Sequence, residues 1–92
     1  MEIFGELIRK RREEKGLPLR KVAAELDVDT SILSKIERSE RFATSDLIPI
    51  LSEKLEIDFE KLQILFLTEK IKSEYGKEPF LTESLEQIIK SK

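Results

Sequence analysis

The chain contains no cysteine and no histidine. Their absence removes disulfides, thiolate nucleophiles, imidazole general bases and the usual zinc ligands, the groups behind most chemistry in small domains. No enzymatic activity, cofactor or metal is therefore expected. Long hydrophobic stretches are missing too: the longest apolar run, ILFL at 64–67, is far short of the ~20 residues that cross a membrane. The N-terminus opens on an amphipathic pattern rather than an apolar signal peptide. A cytoplasmic protein with no membrane partner is expected, and the lack of cysteine suits a reducing compartment. Only three glycines and three prolines punctuate the 92 residues, so breaks between elements are few and can be placed.

What is abundant is charge, and its distribution says more than its sum. The net charge is −2, which on its own argues against a polyanionic partner. Residues 9–41 nevertheless hold ten Lys or Arg against seven Asp or Glu, a surplus of three positive charges, whereas 46–92 hold seven against ten, a surplus of three negative. A basic N-terminal part is followed by an acidic C-terminal part. Charged runs are often no more than solvated helix faces, so this asymmetry needs a motif to give it meaning.

Apolar residues recur at helical spacing throughout, and no segment shows the period-two alternation of a half-buried strand. Phe4, Leu7 and Ile8 define a first helix over about 2–15, stopped by Gly16, with Pro18 in a first-turn position of the next. Val22, Ala23 and Leu26 mark a second helix over about 19–25. Either Asp29 or Thr30 caps a third over about 30–38. After a loop at 39–43, Thr44 or Ser45 caps a fourth helix carrying Leu47, Ile50, Leu51 and Leu55, with Pro49 near its tolerant first turn. Asp58 caps a fifth helix reaching Tyr75. Residues 76–79 break the chain before a last helix with Leu81, Leu85, Ile88 and Ile89. The fold class predicted is all-α.

Two short helices joined by a tight turn, with the small Ala23 on the first allowing a close crossing, describe a helix-turn-helix. Val22, Leu26, Ile32, Leu33 and Ile36 would fill the core between them. The string IRKRREEKGLPLRKVAAELDVDTSILSKIERSER, continued by DLIPILSEKLEIDFEKL, resembles the Cro/CI-type (Xre-like, lambda-repressor-like) family of transcriptional regulators across residues 4–62. The resemblance implies a five-helix DNA-binding core, here 1–62, whose third helix lies in the major groove. In size and layout the chain is also similar to the small controller proteins of restriction-modification systems, a layout shared by antitoxins and phage-type repressors.

On that resemblance Thr30, Ser31 and Lys35 would read base edges. Lys35 can donate to guanine O6 and N7, and Thr30 can offer its methyl group to thymine. Ser34, Arg38 and Arg41 would hold phosphates, with Arg20 and Lys21 of the second helix adding to them. An ordinary solvated helix face would carry residues of the same types. The family also implies an ion pair between Arg12 and Glu37, fixing the third helix against the first rather than touching a ligand. Departures from the family pattern are Leu19, where a polar phosphate contact is common, Asp27 in place of a turn glycine, and Asp29, whose carboxylate is tolerable near DNA only if it caps N–H groups. Arg11 replaces a common Leu, so its stem would cover core while its guanidinium reaches water. Phe42 either packs under its loop or meets a deoxyribose.

Residues 63–92 form a C-terminal extension of the same domain. On the fifth helix Phe59, Leu62 and Phe66 share one side, and Ile64, Leu67, Ile71 and Tyr75 the nearly opposite one. A helix apolar on two faces must be covered on both. The second stripe is closed either by Leu81, Leu85 and Ile88 of the last helix folding back as a hairpin, or by a second protomer, or by both. A homodimer is expected because one helix-turn-helix reads few base pairs and a two-fold dimer doubles the site, giving an inverted-repeat operator on double-stranded DNA. No small-molecule ligand is expected. The alternative is an antitoxin-like protein-interaction module that has the fold without specific DNA binding, favoured by Leu19, Asp29 and the negative net charge.

Overall fold

The structure, a computed structural model, describes residues 2–92. Among these it consists of six helices and no strand: α1 (Phe4–Glu14), α2 (Leu19–Glu25), α3 (Thr30–Glu37), α4 (Leu47–Leu55), α5 (Phe59–Tyr75) and α6 (Leu81–Ser91). The described chain is all-α, as the sequence predicts.

Helix ends follow local chemistry, mostly without glycine. Gly16, at φ 66°, ends α1, and the Leu17 N–H returns to the Arg12 carbonyl at 3.0 Å. The same closure ends α2 at Asp27 (φ 56°), with Val28 N–H on Ala23 C=O at 3.0 Å, and ends α3 at Ser39 (φ 61°), with Glu40 N–H on Lys35 C=O at 2.8 Å. A left-handed residue in this position lets two N–H groups turn back onto otherwise unpaired carbonyls. Asp tolerates that backbone better than most side chains, so the turn between α2 and α3 stays tight without a glycine.

Several expected boundaries shift. The first helix occupies Phe4–Glu14 rather than 2–15, and its first amide is held by a distant group: Phe4 N–H donates to the Glu69 carboxylate of α5 at 2.6 Å. Pro18 stands just before α2 as its cap residue. The third helix stops at Glu37, leaving Arg38 as C-cap. Neither Thr44 nor Ser45 caps the fourth. Their carbonyls accept from Leu47 and Ile48 N–H in a preceding turn, Thr44 Oγ1 donates to Asp46, and Asp46 is the cap residue. Pro49 is then the third residue of α4, where its missing N–H would have had no helical partner. Asp58 caps α5 through Lys61 N–H at 3.0 Å.

The core collects Phe4, Ile8, Val22, Ala23, Leu33, Ile36, Leu47, Ile48, Leu51, Leu55, Leu62 and Phe66 from the first five helices, with Leu26, Ala43 and Ile57 from the connecting segments. Ile32 only flanks it. Ala23 is buried where α2 and α3 meet. Gly5 sets the α1 to α3 distance: a Cβ there would lie 2.5 Å from the Ile36 carbonyl oxygen and 2.7 Å from that of Glu37. Two helical backbones therefore touch at this point. Phe4 and Phe66 rings, centroids 6.1 Å apart and tilted by 55°, close the end of the core, a spacing and angle that aromatic quadrupoles favour.

The C-terminal third does not complete the core. Phe59, expected inside with Leu62 and Phe66, is 49% exposed. It is the first residue of α5, one turn short of Leu62, where the packed layer ends. α6 has no buried residue, and only Leu81 and Leu85 are half-buried. The last helix thus leaves the second stripe of α5 largely uncovered. The molecule is 43 Å long and 25 by 23 Å across, with a radius of gyration of 14.6 Å. A compact chain of this length has about 12 Å.

Candidate nucleic-acid interface

The site is built on the rigidity of α3. Leu33 and Ile36 are buried and Ile32 is half-buried, so one side of this eight-residue helix is anchored in the core. The helical period then places Thr30, Ser31 and Lys35 on the opposite side, and all three are exposed. Among the described residues their side chains enter no intramolecular hydrogen bond or ion pair. Donors held on a fixed scaffold without internal partners are available to an outside surface.

Around this face the structure gathers further cations. Arg20 and Lys21 are exposed in the first turn of α2, and Arg41 is exposed in the loop after α3. Arg38 is exposed, with Nη1 3.3 Å from a Glu40 oxygen and Nε donating to the Ser34 carbonyl at 3.3 Å. Ser34 is half-buried. The Asp29 carboxylate makes no cap hydrogen bond, contrary to the condition set for it near a polyanion, so its negative charge remains at the rim of the basic face. Its position at the start of α3 is still favourable to the helix dipole. Leu19 is half-buried against the core. Arg11 is half-buried, with its guanidinium 3.1 Å from Glu14 and donating to the Glu56 carbonyl at 3.5 Å.

Arg12 and Glu37 join α1 to the C-terminal end of α3. Arg12 Nε donates to Glu37 Oε2 at 2.7 Å and Nη2 to Oε1 at 3.0 Å, while Nη1 donates to the Leu17 carbonyl at 2.8 Å. One guanidinium thereby joins α1, the turn before α2, and α3. The hydrogen bonds that Arg12 donates to Glu37 raise the Arg12 pKa, burial opposes the rise, and the charge of Glu37 adds to it. The pair is a fixed structural strut.

Residues that sequence reasoning missed complete the mounting. Gly5 brings α1 against α3, and Glu69 ties α5 to the start of α1. Lys70 Nζ lies 5.3 Å from the centre of the Phe42 ring, so α5 also holds the loop that carries Arg41. Phe42, 39% exposed, packs on α5 by this contact. Gly5 had a readable signal, a lone glycine inside an apolar helical pattern. Glu69 had none, since its partner lies 65 residues away.

The stripe expected at an interface is largely open. Ile64, Leu67 and Tyr75 of α5 and Ile88 of α6 are exposed, while Ile71, Leu81 and Leu85 are half-buried. Ile71, Tyr75, Leu81, Leu85 and Ile88 line an open groove of ≈ 390 Å³ between the two helices.

Two helices packed through Ala23, a four-residue turn, and a second helix that presents donors away from the core define a helix-turn-helix protein. A family model described as helix-turn-helix matches residues 8–62, more than half of the chain. The chain belongs to the Cro/CI-type (Xre-like) helix-turn-helix family of DNA-binding regulators. No curated protein and no solved structure matches it. No helix among the described residues is long and apolar enough to cross a membrane.

Proposed function

We propose that the protein is a sequence-specific, homodimeric transcriptional regulator of the cytoplasm that binds an inverted-repeat operator. The observation that carries this reading is the outer face of α3, where Thr30, Ser31 and Lys35 stand exposed and internally unpartnered beside the cations of α2 and the following loop. In this reading Lys35, Thr30 and Ser31 contact base edges, and Ser34, Arg38, Arg41, Arg20 and Lys21 contact phosphates. Residues 63–92 serve dimerisation. The uncovered stripe of Ile64, Leu67, Ile71 and Tyr75, with Leu81, Leu85 and Ile88 of α6, supports a second copy as its cover. A two-fold dimer sets the α3 helices about one DNA turn, roughly 34 Å, apart.

The test is fluorescence anisotropy of the protein on the DNA upstream of its own gene, against a shuffled duplex of equal length, at two salt concentrations. The expected result is tighter binding to the native duplex with a steep loss of affinity as salt rises, because phosphate contacts release counterions. No binding to either duplex at either salt would overturn the reading in favour of a protein-interaction module.

A further inference from the structure

Arg9, Arg12, Leu19, Ser34, Glu37 and Arg38 line an open notch of ≈ 240 Å³ where α1, the start of α2 and the end of α3 meet. Its lining holds three arginines and a single acidic residue. That carboxylate is already engaged: both oxygens of Glu37 accept from Arg12, at 2.7 and 3.0 Å. Within the lining no second carboxylate answers Arg9 and Arg38, whose acidic partners lie outside the notch.

The carboxylate partners of both arginines are exposed. Arg9 Nε is 3.5 Å from Glu13 and Arg38 Nη1 is 3.3 Å from Glu40, with side chains about half exposed in each pair. Exposed pairs of this kind contribute little to stability, so exchanging them for another anion costs little. The half-buried Ser34 adds a hydroxyl without an internal partner among the described residues. Leu19, at the start of α2, supplies an apolar wall and no donor. The polar character of the notch thus comes from α1 and α3.

The notch lies toward the other end of α3 from Thr30 and Ser31. An eight-residue helix is about 12 Å long, comparable to the ≈ 12 Å width of the major groove. With the start of α3 among base edges, its end reaches the phosphate wall of the groove. We propose that the notch is a DNA-phosphate site and that Arg9, on α1, is a direct backbone contact closing on the same phosphodiester as Arg38 and Ser34. The inference rests on the DNA-binding reading above and adds a contact outside the helix-turn-helix itself. A guanidinium suits the role because its fork can meet two phosphate oxygens at once.

The experiment compares wild type, Arg9→Ala and Arg9→Lys on the native and shuffled duplexes over a series of salt concentrations, with thermal melting of each protein alone. Arg9→Ala is expected to melt like wild type, to weaken binding to both duplexes by the same factor, about 5–10-fold at 0.1 M salt, and to lower the slope of log affinity against log salt by about one. Arg9→Lys keeps the slope. Wild-type binding with an unchanged slope in Arg9→Ala overturns this inference and leaves the regulator reading intact. A changed preference between the duplexes also overturns it, since Arg9 would then read a base. Absence of wild-type binding removes both. If inorganic phosphate raises the melting temperature of wild type but not of Arg9→Ala while DNA affinity is unaffected, the notch holds a free anion and the inference fails.

Discussion

Arg12 and Glu37 meet through two parallel hydrogen bonds, 2.7 and 3.0 Å long, with side chains only 13% and 6% exposed. The pair joins α1 to the C-terminal end of α3. Its geometry fixes the tilt of α3 more firmly than apolar packing alone, because a planar fork against a carboxylate tolerates little rotation.

Arg12→Ala leaves Glu37 buried without its cation and removes the donor from the Leu17 carbonyl. A destabilisation of about 3 kcal/mol is expected, a fall in melting temperature of more than ~10 °C for a domain of this size. A double variant with apolar residues of similar size, Arg12→Met with Glu37→Leu, should recover much of the loss, since a buried pair and a packed apolar pair are often close in stability. Thermal melts followed by circular dichroism give both values. An unaltered melting temperature in Arg12→Ala would show that the strut bears no load.

Gly5→Ala tests the backbone contact between α1 and α3. In an exposed helix interior this change stabilises by about 1 kcal/mol. Here the added methyl group meets two α3 carbonyl oxygens at 2.5 and 2.7 Å, and backbone cannot swing aside as a side chain can. The expected sign is reversed, with a loss of about 1–3 kcal/mol. A stabilised variant in denaturant titration would mean that α1 and α3 separate easily.

Lys15 and Glu56 link the end of α1 to the end of α4. The hydrogen bond from Lys15, and then its charge, hold the Glu56 carboxyl below its ordinary value. A carboxyl depressed in the folded state contributes stability above its unfolded pKa and loses it as pH falls through the folded one. The melting temperature of Lys15→Ala should therefore lie slightly below wild type at neutral pH and converge with it below the ordinary carboxylate pKa of about 4.3. A gap that persists in acid would point to lost packing by the lysine stem instead.

Lys35→Ala tests the proposed base readout separately from folding. Lys35 is exposed and joins no internal pair among the described residues, so the melting temperature should hold. The affinity ratio between native and shuffled duplexes should fall by roughly ten-fold, the lower-middle part of the ~1–3 kcal/mol discrimination of a good base contact. Equal affinity and equal preference in the variant would remove Lys35 from the recognition surface.

Leu67→Glu combined with Ile88→Glu places charges on the open stripe of α5 and α6. Both positions are exposed in the single chain, at 42% and 57%, so the monomer should fold as before. Sedimentation equilibrium is expected to show a wild-type dimer and a monomeric variant, with affinity for the two-half-site duplex falling in parallel. A monomeric wild type would assign the stripe elsewhere.

Local chemistry made the helical parts of the chain legible. Apolar residues at helical spacing, Gly16, Asp58 and the small Ala23 act over a few residues, and they suffice to place the helices and to mark α2 and α3 as a helix-turn-helix. The outward face of α3 follows from the same period once Leu33 and Ile36 are turned inward. Proximity across the fold was a different matter. Glu69 capping α1, Gly5 under the α3 carbonyls, Arg9 beside Arg38 and Lys70 over Phe42 each join residues distant in sequence. The periodicity of α5 gave two apolar sides of equal appearance, and only the packed structure distinguished them: Leu62 and Phe66 meet the end of the core, whereas Ile64 and Leu67 face outward. A one-dimensional pattern fixes which residues share a face, because that depends on local geometry. Which face is covered, and by what, depends on where the other helices come to rest.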